Sequence, residues 1–277
     1  MALSRAGKIE SFRALHERPG AFVIPNPWDV GTARVLASLG FEALATTSAG
    51  FAFSLGLPEG DISREQALAH CGDIVAATDL PVSADLEKGF GDDPASVAET
   101  IRAAAETGLA GGSIEDFSGR PEDPIFSFDQ AVERIAAAVQ AARSLPHDFV
   151  LTARAENFLH GRPDLDDTVR RLQAFEAAGA DVLYAPGLKS LDDIRTLCAA
   201  VTRPVNVVMG LPGVTFGMAE LAEAGAKRIS VGSAFSRLAF GALIRAAREI
   251  AEQGTFTFSK DAAGFAELEE IFRRFGG

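Results

Sequence analysis

A chain of 277 residues in which 47% are hydrophobic and 23% charged has the composition of a globular protein with a large buried core. Its formal net charge of −12 argues against a nucleic-acid partner, which needs a basic patch to neutralise phosphates. No apolar run reaches the roughly 18 residues of a membrane span, and residues 1–20 lack a signal-peptide layout, so the sequence reads as cytoplasmic with no membrane partner. Cys71 and Cys198 both fall in stretches of helical spacing and read as buried thiols, not as a disulfide or metal pair.

Along the chain, residues 1–20 read as an N-terminal helix. Eight short apolar runs then recur at residues 21–25, 43–47, 82–86, 112–115, 149–153, 181–184, 205–209 and 228–231. Amphipathic segments separate them, among them residues 30–39, 94–107, 129–143, 165–178 and 215–224. Gly40, Gly108, Gly179 and Gly225 each stand between such a segment and the next strand, where glycine permits a left-handed helix cap. Alternating strands and helices imply a parallel sheet, and eight units in one composition regime imply a single closed α/β barrel over residues 21–253. An open doubly wound sheet is the alternative, disfavoured because no Gly-x-Gly-x-x-Gly turn follows the first strand. Residues 254–277 extend the chain beyond the barrel. Residues 261–275 in that extension read as a helix apolar enough to pack on something, such as a neighbouring subunit.

Catalytic groups in such barrels come from the C-terminal ends of the strands. Those ends carry Asp85 and Glu87, Glu115, and Arg154 with Glu156; side chains two apart on a strand aim together. Converging carboxylates repel one another, and a hard divalent cation relieves that, so Asp85, Glu87 and Glu115 point to Mg²⁺, with Mn²⁺ able to stand in. Asp85 reads as the direct ligand and the others as water-mediated. Arg154 suits capture of a substrate anion, and Ser48 with the amides of Ala49 and Gly50 reads as a second anion cradle. Asp92, Asp93 and Asp116 read as caps or loop ion pairs. His16, His70 and His147 read as surface residues, while His160 lies close enough to the strand-five end to line the site. Ser48 has no partner His for hydrolase chemistry. Lys189 lies too far into its loop for a Schiff base.

Several runs together resemble the isocitrate lyase and phosphoenolpyruvate mutase superfamily, over about residues 22–236. They are Asn26-Pro27-Trp28-Asp29, Thr47-Ser48-Ala49-Gly50, the run from Ser54 to Asp61, Ala84-Asp85-Leu86-Glu87-Lys88-Gly89-Phe90-Gly91, Ser113-Ile114-Glu115-Asp116 and Ala153-Arg154. The resemblance implies a homo-oligomer, dimer or tetramer, whose last helix is exchanged between subunits. It adds Asp61 to the metal's outer shell and Asn206 to the substrate-binding residues. It also implies bond cleavage next to a 2-oxo acid through an enolpyruvate-like intermediate.

Departures from the family pattern narrow the activity. The loop after strand four, Phe117-Ser118-Gly119-Arg120-Pro121-Glu122-Asp123-Pro124, lacks the Cys and His of the isocitrate and methylisocitrate lyases. The strand-six end, Tyr184-Ala185-Pro186, lacks the His of the mutases and the Glu of the methylisocitrate-type lyases. The expectation is a Mg²⁺-dependent lyase for a small 2-oxo or 2-hydroxy di-acid, with Arg154, Glu115 and Arg120 as the catalytic groups and Arg120 closing over the site. Phosphonopyruvate mutase or hydrolase chemistry is the nearest alternative, and a non-catalytic binding barrel the next.

Overall fold

The structure is a computed structural model and describes residues 4–275. Its strands are β1 (Phe22–Ile24), β2 (Leu44–Ala45), β3 (Val82–Asp85), β4 (Gly111–Glu115), β5 (Val150–Arg154), β6 (Val182–Tyr184), β7 (Val205–Val208) and β8 (Arg228–Ser230). All pair in parallel in the order β1-β8-β7-β6-β5-β4-β3-β2. The Ala45 N–H donates to the Pro25 carbonyl at 3.0 Å, joining the two ends of that order and closing the ring. This is a single eight-stranded α/β barrel. The expected strands are all present, most of them shorter by a residue or two. β5 starts and ends one residue late, which makes Arg154 its last residue, paired with Glu115 on one side and Tyr184 on the other.

The outer ring consists of α2 (Val30–Ser38), α3 (Ser48–Ser54), α4 (Arg64–Ala77), α5 (Pro94–Glu106), α6 (Phe128–Arg143), α7 (Leu165–Ala177), α8 (Leu191–Ala200), α9 (Met218–Glu223) and α10 (Ala234–Gln253). Their starts follow local chemistry. Asp93, Ser127 and Asp164 each accept the amide three residues on, at the heads of α5, α6 and α7. Gly179, at φ +103°, turns the chain from α7 toward β6 as its position in the sequence predicts.

α1 (Arg5–Glu17) closes the N-terminal end of the barrel. Its Ile9, Phe12 and Leu15 bury against Phe22, Ile24, Val150 and Val182. Gly111 makes room for this plug: a Cβ there would lie 2.4 Å from the Val150 carbonyl oxygen and 3.2 Å from the Phe12 ring.

Four expectations change. Residues 48–50 are not a loop but the first turn of α3, capped by Thr47. The tail helix is shorter than expected, running as α11 (Phe265–Arg273), with a 3₁₀ turn (Thr257–Asp261) before it. His16 and His70 are buried rather than superficial. The His16 ring bonds the Phe12 carbonyl, and burial pulls its pKa down to about 3; the His70 ring stacks flat on Phe51. Cys71 is buried as expected, and Cys198 only partly so. Among the described residues no helix is long and apolar enough to cross a membrane. Leu238 and Leu243 of α10 and Phe265 of α11 are exposed, the last at 89%.

Candidate active site

Three neighbouring strands end in charge. β3 ends in Asp85, β4 in Glu115 and β5 in Arg154, and adjacent strands lie only about 4.8 Å apart. Arg154 donates from Nη1 to Asp85 Oδ1 (2.9 Å) and from Nε to Glu156 Oε1 (2.8 Å), and its Nη2 pairs with Glu115 Oε2 at 3.1 Å. Its guanidinium also lies 5.0 Å from the Tyr184 ring centre. One cation therefore serves three carboxylates, one through each of its nitrogens.

The second Asp85 oxygen, Oδ2, accepts from the Ser48 amide (3.2 Å) and hydroxyl (2.8 Å). The Gly50 amide donates to the Thr47 hydroxyl (3.2 Å). Two of the three groups read as an anion cradle are thus already engaged. Ala49 is buried between them. Gly50 is demanded by packing instead, since a Cβ there would fall 2.6 Å from Thr47 Cγ2 and 3.1 Å from Trp28 Cβ.

Glu87 lies beyond the end of β3 at φ +49°, so strand alternation no longer sets its direction. Its amide faces Asp85 Oδ1 at 3.4 Å, and its Oε1 is buried with no hydrogen-bond partner. Asp61 sits exposed in the loop between α3 and α4, outside the cavity, whereas Glu59, two residues earlier, lines it. Arg120 also faces elsewhere, with Nη1 bonded to Asp92 at 2.9 Å and its guanidinium over the Phe126 ring. Asn206 lines the cavity, but its amide is engaged at both ends: Nδ2 donates to Ser230 Oγ (3.0 Å), and Oδ1 accepts from Arg228 Nε (2.8 Å).

The acids read as caps or loop pairs behave so. Asp93 caps α5, Asp92 pairs with Lys88 and Arg120, and Asp116 bridges the Glu156 amide and Arg171. Lys189 is exposed, and among the described residues neither a His nor a Lys lines the cavity. Residues absent from the sequence reading also take part. Arg228 lies buried in the cavity floor on Asn206 and Thr152, Tyr184 backs Arg154, and Arg237 and Glu59 stand at the mouth. Arg228 carried a legible signal, a charge opening the apolar run of β8.

Burial decides the proton affinities here. It pushes Glu87 up to about 7, with the Asp85 charge adding to it, and pushes Glu156 to about 7 against the pull of Arg154. Glu115 rises well above the carboxylate range for the same reason, and Asp116 to about 6. Between about pH 4.5 and 7 the folded protein therefore holds protons that the unfolded chain has already released. Stability contributed by these groups is complete at the acid end of that window and is lost as pH rises through it. Buried His16 and His70, their pKa values lowered to about 3 and about 4, act in the opposite sense below about pH 6.5. In metal-free buffer the urea midpoint is therefore expected to fall from pH 6.5 to pH 8, and a rising midpoint there would contradict the raised affinities.

Residues 12–251 match the family model described as phosphoenolpyruvate phosphomutase. The chain belongs to that family. A protein of this superfamily, 2,3-dimethylmalate lyase, is 30% identical and superposes with a TM-score of 0.84 over 96% of this chain and 94% of that one. The 2-methylisocitrate lyase of Shewanella oneidensis is 36% identical over 69% of this chain and 67% of its own. A Burkholderia cenocepacia J2315 structure, provisionally called a lyase/mutase, is 60% identical with a TM-score of 0.95 over 97% of both chains. The phosphomutase family and these relatives place the chain among lyases and mutases, and it is an enzyme.

Proposed function

We propose that this phosphomutase-family enzyme is a Mg²⁺-dependent lyase that cleaves a C–C bond in a small 2-oxo or 2-hydroxy di-acid of the oxaloacetate or substituted-malate type. The observation carrying this reading is the acidic wall Asp85–Glu87–Glu115 around Arg154, in which Glu87 Oε1 is buried without a partner. An orphaned carboxylate oxygen beside a second carboxylate fits a hard cation or its water. Among the described residues no three His, Cys, Asp or Glu side chains form a direct cage. Mg²⁺ is usually held by one or two carboxylates and keeps several waters. Asp85 would hold the ion, Glu87 and Glu115 would orient its waters, and Asp61 would join them from the exposed loop between α3 and α4. When bound, the ion supplies Lewis-acid stabilisation of oxyanion charge.

The chain's own residues do the rest. Arg154 exchanges a carboxylate partner for the substrate's, and Ser48 keeps Asp85 oriented while it does so. Glu115, ionised by the Arg154 charge beside it and by the bound cation, would take the proton of a C2 hydroxyl as the C2–C3 bond breaks. The electron pair passes to C3, which takes up the proton that Glu115 has received. Asn206 and Arg228 fix the floor. Arg120 would close over the mouth after leaving Asp92, excluding water from the enolate. The exposed apolar faces of α10 and α11 support a homo-oligomer. Of the relatives' named substrates, dimethylmalate is a branched di-acid, which agrees with this reading.

The family match itself favours a second reading, C–P chemistry on phosphonopyruvate. The same experiment separates the two. Pyruvate release is followed through a lactate dehydrogenase couple, with and without Mg²⁺, from oxaloacetate, alkylated malates, methylisocitrate and phosphonopyruvate. Metal-dependent pyruvate from a malate alkylated at C2 is expected, whereas oxaloacetate cut at C2–C3 would give oxalate and acetate. Pyruvate from phosphonopyruvate alone would replace the lyase reading with the second, and silence across the panel would remove the first.

A further inference from the structure

The loop between β4 and α6 is a compact unit with a defined neck. Phe117 and Ile125 pair across its base in an antiparallel bridge, and the Ser118 amide donates to the Pro124 carbonyl at 2.7 Å. The neck starts two residues after Glu115 and the loop carries Arg120, so its angle bears on the site. The side chain that grips the neck comes from the loop after β5. The His160 ring stacks on the Phe117 ring with centroids 3.8 Å apart and planes 8° from parallel. Two residues further on, Arg162 pairs with Asp123 of the same β4–α6 loop at 3.1 Å.

His160 also touches the other side of the machinery. Its Nε2 lies 3.8 Å from Oε2 of Glu156, the residue that holds Arg154 Nε. That separation is too long for a hydrogen bond, so the ring acts through its face and its bulk. Burial, with the Arg154 charge adding to it, lowers the His160 pKa, and at neutral pH the ring is uncharged, as a flat stack on Phe117 favours.

We propose that His160 is a positioning residue: its stack on Phe117 fixes the neck of the β4–α6 loop against the Glu156–Arg154 pair, so that loop and guanidinium are held in one geometry. The sequence suggested only that His160 lines the site; the ring instead stands behind it, between two loops. What the position requires is a planar ring, not a proton carrier.

Three variants, His160→Ala, His160→Gln and His160→Phe, test this with two measurements. Hydrogen exchange over residues 117–126 reads the neck directly and needs no ligand. Calorimetric titration with oxalate in Mg²⁺ reads Arg154, and this arm alone rests on the proposed lyase site. An aromatic stack of ordinary strength corresponds to roughly 2- to 10-fold in affinity. His160→Ala and His160→Gln should show faster exchange at the neck and oxalate binding weakened by about that factor. His160→Phe should restore both to within about twofold, on the same stacking scale. Failure of Phe to rescue, rescue by Gln, or wild-type exchange in the Ala variant would each overturn the proposal. If the wild-type protein bound no oxalate, the lyase site would fall, and the exchange arm would still decide the role of the ring.

Discussion

Arg154→Met is expected to lower turnover by about 10²–10³-fold, the scale set by removing one preorganised charge stabiliser from an active site, and to make stability strongly pH-dependent. Three carboxylates, on Asp85, Glu115 and Glu156, bond this one side chain, and Glu115 and Glu156 are buried. Removing one member of a buried ionic group costs roughly 3–5 kcal/mol when the remaining charges have nowhere to go. These have an escape, because burial already raises Glu115 and Glu156, and loss of the guanidinium raises them further. At pH 5.5 the variant protonates them and the loss of stability is small. As pH rises toward 8 each proton must be released into a buried, unpaired site, and the loss grows. Urea midpoints at the two pH values, beside steady-state kinetics, measure both effects. Arg154→Lys should recover part of the stability at pH 8 but not the turnover, since an ammonium cannot serve three directions in one plane. Full turnover in the Met variant would remove Arg154 from the chemistry.

The barrel was legible because its signals are local and repeated. Eight apolar runs, helical spacing between them and glycines such as Gly179 at the helix ends each report on a few residues at a time. Asp85, Glu115 and Arg154 were legible for the same reason, each being a charge that closes an apolar run. The directions of side chains were less so. Alternation aligned Arg154 with Glu156 correctly, but it did not extend to Glu87, because the chain leaves the strand at Asp85 and turns through a left-handed residue. The amides of residues 48–50 looked free because Thr47 as a cap and Asp85 as an acceptor lie across a strand-to-helix turn that sequence spacing does not reveal. The burial of His16 and His70 was hidden likewise. Each sits on a helix, and which face meets the barrel depends on partners outside that helix, Arg228 and Phe22 for one and Phe51 for the other. Arg120 illustrates a further limit: its partner Asp92 comes from the neighbouring β3 loop, and only register places them together.

Asp85→Asn should separate the proposed metal site from the rest of the wall. Both carboxylate oxygens accept: Oδ1 from Arg154 and Oδ2 from Ser48. An amide keeps one acceptor and turns an N–H toward either the guanidinium or the serine, so one contact becomes donor against donor. If Asp85 holds the ion, the thermal stabilisation that Mg²⁺ gives the wild-type protein disappears in the variant, because a ligand stabilises only a fold that binds it. Turnover should fall by at least about 10²–10³-fold. A second readout comes from Glu87, whose affinity for a proton is raised by burial and then by the Asp85 charge. Without that charge it should titrate closer to an ordinary glutamate, and the pH-dependent loss of stability should shift toward acid. Loss of the Mg²⁺ response together with this shift would tie the ion to Asp85 itself. A Mg²⁺ response that survives, with the shift present, would place the ion on Glu87 and Glu115 and leave Asp85 as the residue that orients Arg154 and Ser48.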